Sequence, residues 1–439
     1  MIGTGGFLGI IFVVIASMLV FYKYSVRTSK LFYISAIFFI LGYFISSFFL
    51  RFETFGYLDN IAFSYRDLSE VYLISGVYFF IAVSAYLILD FRSKKISYDF
   101  QSDRTIRLFS ILHLPIIIIL YWGIYTGQIN SIRMFLGDDT KVTFIVIVAT
   151  SLWPVTLLAY LTIIKKYSAL IIFAQIGVSI AAGNRREIIT IIMILLIVNY
   201  IFQEKRVRVA TLILPFFIVV FLGVYSTAVQ EELVQAIYSD TVFSLRSVLL
   251  PAFEAVYNNF TGQFVKMVMA IFAWQEQTYL IDASLQVSAK TGCSGITELP
   301  KLLLPFSNTF GFSGSCSNEK ILFNHALTLA NGDPYLIVPF IPDVIIGHGV
   351  EWLPLLTLIN VIIYKMTEFG CLKFTRKPLV SFIYFAYFWP LTQSINQSFL
   401  NQTYVVFIKV MIFVLVLSFF VNLITLLLPK KFYVHRRCL

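Results

Sequence analysis

The chain has 439 residues, of which 59% are hydrophobic and only 13% charged, with a mean hydropathy of +0.85. Soluble domains carry about 25% charged residues, so a water-soluble enzyme of this length is excluded. The net charge of +10 reads as a topology signal rather than a nucleic-acid footprint, because Lys and Arg gather in the inner loops of membrane proteins.

Near-pure apolar blocks occupy residues 5–22, 31–50, 71–89 and 378–389. A span takes about 20 apolar residues. Lipid offers the backbone no hydrogen-bond partner, so each block is expected to be a helix. The first block has no basic leader and no small-residue cleavage site, so it is expected to be an uncleaved span. Lys23, Arg27 and Lys30 follow it, which sets that loop inside and Met1 outside. The second span exits at Arg51 and the third returns to Arg92, Lys94, Lys95, Arg104 and Arg107. The fourth covers about 108–125. An outer loop holding Arg133, Asp138, Asp139 and Lys141 follows, and the fifth span returns to Lys165 and Lys166.

The next apolar run is interrupted. Residues 171–182 and 188–202 flank Gly183-Asn184-Arg185-Arg186-Glu187. Taken as two short spans, they place this turn at the outer face, and the chain re-enters at Lys205, Arg206 and Arg208. An eighth span, from Val209, exits again. The chain is then too polar to be embedded throughout, so 229–347 reads as a large outer loop with short helices of its own. A span from Val350 to Tyr364 enters the cell, followed by Lys365, Lys373, Arg376 and Lys377. Two more lead to a tail with Lys430, Lys431, Arg436 and Arg437.

The expectation is an all-α polytopic membrane protein of about eleven spans. Residues 1–228 form an N-terminal bundle of about eight, 229–347 the outer loop, and 348–439 a C-terminal bundle of about three with a basic tail. Cys293 and Cys316 fall in the oxidising outer loop and are expected to pair, while Cys371 and Cys438 fall on the reducing side.

Chemistry-capable polar residues gather outside. Arg185 and Arg186 stand there against the topology rule, between two short apolar halves. Guanidinium forks match phosphate oxygens in pairs, and helix N-termini favour anions. The turn therefore suits the phosphorylated head group of a lipid; the alternative is simple snorkelling to the interface. Arg246, in an apolar setting early in the loop, is a second phosphate-binding candidate, or an ion-pair partner of Asp240 or Glu254. Arg133 and Lys409 are weaker ones. Before the ninth span the chain reads Pro339-Phe340-Ile341-Pro342-Asp343, then Gly347-His348-Gly349-Val350-Glu351. Asp343 or His348 there, or His325, is a candidate general base; the alternative for Asp343 and Glu351 is an acid facing a helix dipole. No Walker loop, dinucleotide fingerprint or nucleophile elbow occurs, nor any Cys-x-x-Cys or His pair at ligand spacing. No cofactor, metal or nucleic acid is expected.

This pattern resembles the bacterial O-antigen polymerases, the oligosaccharide repeat unit polymerases. The multi-span frame with one large late loop matches across the whole chain. Ala182-Gly183-Asn184-Arg185-Arg186 resembles the family's Gly-Gly-x-Arg segment. Pro339-Phe340-Ile341-Pro342-Asp343-Val344-Ile345-Ile346-Gly347-His348-Gly349 resembles its apolar-acid-apolar-Gly entry into the following span. His348 stands where the family is usually apolar, so the resemblance lends it no role. His325 does not reproduce the outer-loop context of the related O-antigen ligases. The resemblance implies a GT-C-like, metal-independent glycosyltransferase in the inner membrane with a periplasmic active site. Donor and acceptor would be repeat units on undecaprenyl pyrophosphate, and a chain-length regulator protein would be a partner. Arg185, Arg186 and Arg246 would hold the pyrophosphate. The competing readings are a flippase or other transporter of lipid-linked oligosaccharide, and a ligase-type transferase.

Overall fold

The computed structural model describes residues 4–25, 68–89, 100, 103–129, 142–182, 185–202, 220–229, 231–232, 245–264, 281, 285, 341, 344–345, 349–374, 378–388, 390–391 and 402–427. Every regular element among them is helical. In chain order the main helices are α1 (Thr4–Ser25), α2 (Leu68–Ile88), α3 (Arg104–Tyr125), α4 (Phe144–Ile163), α5 (Ser168–Ala181), α6 (Arg185–Ile197), α7 (Leu245–Asn258), α8 (Leu353–Phe369), α9 (Pro378–Ala386) and α10 (Gln402–Leu427). A short apolar helix covers Val220–Val229. Helix α6 runs on through a π turn, Val198–Phe202, and α8 through another, Gly370–Phe374.

Among the described residues, four helices are long and apolar enough to cross a bilayer: Ser69–Ile88, Arg104–Tyr125, Phe144–Ile163 and Val350–Leu372. Their outward faces carry side chains that water would not tolerate, such as Ile118 on α3 and Phe144 on α4, 69% and 77% exposed. The protein is an all-helical membrane protein. Pro115 and Pro154 lie inside α3 and α4; neighbouring groups in a helical bundle satisfy the backbone that such residues free.

The chain forms two compact units: Met1–Lys94 with Pro251–Gly370 and Trp389–Tyr404, and Lys95–Leu250 with Cys371–Phe388 and Val405–Leu439. In the first, α1 packs on α2 through glycine. A Cβ at Gly9 would overlap the Tyr72 carbonyl, and one at Gly76 would overlap the Gly9 carbonyl. Without side chains the two backbones approach directly, the small-residue packing that lipid favours. Gly5 lies against Ser69, and the Phe12 and Phe80 rings sit 5.4 Å apart. Residue numbers rise together along both helices, so α1 and α2 run parallel. Helix α8 packs on α2 in the same sense. Val71, Ile74 and Tyr78 meet Leu353 and Leu356 at one end, with Ile281, Ile341, Val344 and Ile345 buried among them. At the other end Tyr86 meets Tyr364.

The span expected to end at Tyr364 continues as helix past it, and this changes the place of Lys365. It is only 4% exposed, bonds Glu368 Oε2 at 2.8 Å and lies 3.6 Å from the centre of the Tyr86 ring. A cation so placed is held by its partners rather than free as a topology charge.

In the second unit, Asp103 caps α3 by accepting the Thr105 and Ile106 amides at 2.9 and 3.2 Å. Helix α4 runs antiparallel to α3: Gly123 faces Val146, and His113 Nδ1 lies 3.0 Å from Thr156 Oγ1. The turn from α4 to α5 holds two left-handed residues, Lys165 and Tyr167, with φ of 58° and 54°. The Tyr160 hydroxyl bonds the Lys166 carbonyl at 2.6 Å and secures it. Phe100, Phe202 and Phe382 cluster where the π turn after α6 meets α9. The Tyr387 hydroxyl donates to the Ser151 carbonyl, and Thr105 Oγ1 to Ser418 Oγ of α10.

Candidate functional site

The interrupted apolar run is a helical hairpin, α5 and α6, joined through residues 182–184. Helix α5 has 14 residues, a length of about 21 Å at 1.5 Å per residue. That is short of the hydrocarbon thickness of about 30 Å. Helix α5 is fixed from the α3 side. The Tyr121 hydroxyl donates to the Ala174 carbonyl at 3.0 Å and fills the space that a side chain at Gly177 would need.

Helix α6 begins at Arg185, so Arg185 and Arg186 lie in its first turn with Glu187 behind them. Their side chains lie outside the described set; their place on the helix does not. Residues Ile188, Ile191 and Ile194 bury the inner face of α6. Beside this apolar packing runs a polar line. Ser179, fully buried on α5, shares its single hydroxyl proton between two acceptors, the Gln175 carbonyl at 3.1 Å and Glu187 Oε2 at 3.1 Å. Gln175 is fully buried, and among the described residues neither its amide nitrogen nor its amide oxygen has a hydrogen-bond partner. Thr190, on α6, is buried as well.

The other expected site residues are placed as follows. Arg246 is the second residue of α7, a helix that buries Val248, Ala252 and Val256 and exposes Phe253 and Tyr257. The Tyr225 hydroxyl ties its first turns by donating to the Leu249 carbonyl at 2.9 Å. Glu254, one alternative partner of Arg246, is exposed. Lys409 is exposed on α10. Asp343 and His348, together with Arg133, Asp240, His325, Cys293 and Cys316, lie outside the described residues. Glu351 stands in the first turn of the 3₁₀ segment Val350–Trp352 that leads into α8, the position of an acid facing a helix dipole. Among the described residues no three His, Cys, Asp or Glu side chains group as metal ligands.

Three buried polar residues were passed over in the sequence or given another place. His113 and Gln175 are single polar side chains inside apolar runs, and an intramembrane polar residue is by default a functional candidate. Lys365 was counted with a basic loop. Comparison with protein-family models, curated proteins and solved structures finds no match for this chain.

Proposed function

We propose that the protein is a metal-independent glycosyltransferase that joins repeat units carried on undecaprenyl pyrophosphate into O-antigen polysaccharide. The reaction takes place at the periplasmic face of the bacterial inner membrane, within a GT-C-like frame of about eleven spans. The supporting observation is the start of α6 at Arg185, directly after a short apolar helix. Cations at the positive end of a helix are disfavoured by about 0.3–1 kcal/mol each. Two adjacent arginines there call for an anion, and a diphosphate offers their guanidinium forks the right oxygens.

In this mechanism an acceptor hydroxyl attacks the anomeric carbon of the donor glycan. The bond from that carbon to the diphosphate breaks, and undecaprenyl pyrophosphate leaves with the bonding pair. Arg185 and Arg186, with Arg246, stabilise the charge gathering on the leaving group. Asp343 or His348 accepts the hydroxyl proton.

Arg185→Ala and Arg186→Ala are each expected to lower turnover about 100- to 1000-fold, with the protein still inserted. Lysine restores little because the fork is lost. The measurement is polysaccharide length on gels, paired with turnover of lipid-linked repeat units by purified protein with and without chelator. Long chains in both alanine variants would overturn the reading.

A transporter reading draws on buried Lys365, paired with the partly buried Glu368, since carriers keep charges inside the membrane. The knockout phenotype separates the readings. A polymerase defect leaves one capped repeat unit, a flippase defect strands repeats inside, and a ligase defect leaves none.

A further inference from the structure

We propose that Glu187 is a positioning residue for the arginine pair: bonded to Ser179 Oγ, it sets the rotation of the first turn of α6 against α5. This rests on the diphosphate reading of Arg185 and Arg186 and names what holds them.

Glu187 is the third residue of α6. An acid at that position usually reaches back to its own helix cap. Here the carboxylate also bonds across the hairpin to Ser179 at 3.1 Å. Ser179 is fully buried, which fixes the anchor point, and its single hydroxyl proton is shared between Glu187 and the Gln175 carbonyl one turn earlier. Apolar packing of α6 starts at Ile188, one residue after Glu187, and the arginines precede it. The bond extends the fixed part of the helix by one residue, from Ile188 to Glu187. One residue is about 100° of helix rotation, enough to turn one arginine away from a ligand that the pair must grip together. The carboxylate also offsets part of the positive charge at this helix end.

The test compares Ser179→Ala, Glu187→Ala, Glu187→Gln and the double alanine variant at equal amounts of membrane-inserted, full-length protein. The substrate is the lipid-linked repeat unit. Glutamine keeps an acceptor oxygen for Ser179, so Glu187→Gln is expected to retain most of the activity. Ser179→Ala and Glu187→Ala are each expected to lower kcat about 10- to 100-fold with KM little changed, the range for losing a hydrogen bond to a charged group. The double variant is expected to be no worse than the poorer single one, because both remove the same bond. If the alanine variants match wild type while Arg185→Ala is inactive, the positioning role is overturned and the arginine clamp stands. If Glu187→Gln is as poor as Glu187→Ala, charge rather than the bond is at work, and the proposal is again overturned. If Arg185→Ala and Arg186→Ala are active, the clamp itself falls and this inference with it.

Discussion

At Gly349 the backbone takes φ 94° and ψ 161° just before the segment that leads into α8. That region belongs to glycine almost alone, and an added Cβ would also meet the Glu351 carboxylate. Gly349→Ala is therefore expected to destabilise the protein by about 1–3 kcal/mol, read as a lower unfolding temperature in detergent. Gln175 presents the opposite case. Among the described residues both its amide atoms are buried without partners, and an unsatisfied buried polar group costs about 1–3 kcal/mol. Gln175→Leu keeps much of the volume and removes that cost, so its unfolding temperature should rise; a fall would show that the amide has a partner. Neither position stands out in the sequence by residue type alone. Gly349 was read there only as part of a Gly-His-Gly motif, and a glutamine in an apolar run does not reveal what it faces.

Among the elements, the α1–α2 crossing depends on absent side chains. Gly9 and Gly76 leave no space for a Cβ against the facing backbone, so a larger residue must push the helices apart. Gly9→Leu is expected to cost about 1–3 kcal/mol, the usual range for overpacking, and more if the helices separate. Protease protection of α1 in membranes and thermal unfolding would measure it; an unchanged protein would mean that the crossing is not close-packed. The α5–α6 hairpin was more legible. Its interruption, its short apolar halves and its two arginines can all be read along the chain, because they are local. The Ser179–Glu187 bond is not, because it needs two helices at one rotation. Helix α7 lies between these cases: the apolar setting of Arg246 can be read along the chain, but only the fold separates buried Ala252 from exposed Phe253.

For the whole molecule, helix directions carry information independent of charge. Helices α1, α2 and α8 lie in one unit and run parallel. If each crosses the membrane, their first residues share one side, and an odd number of crossings separates each from the next. The eleven-span reading has one crossing between α1 and α2 and five between α2 and α8, which meets this parity. Single cysteines at Thr4, Ser69 and Val350 in a cysteine-free background should all react with an impermeant maleimide from the same side. Labelling of any one from the opposite side would break the parallel arrangement.

The sequence alone determined that this protein is helical and membrane-embedded. Long apolar runs admit no other backbone structure in lipid, where every amide must bond within its own segment. It also determined where the apolar order breaks, at residues 183–187, since a break needs only its neighbours to be seen. Tertiary structure decided which polar groups are paired: Lys365 over Tyr86, His113 on Thr156, Glu187 on Ser179. It also decided that glycines bring α1 and α2 together. Hydropathy is summed along one segment, whereas a buried hydrogen bond or a close crossing depends on the register of two segments, which no single segment encodes.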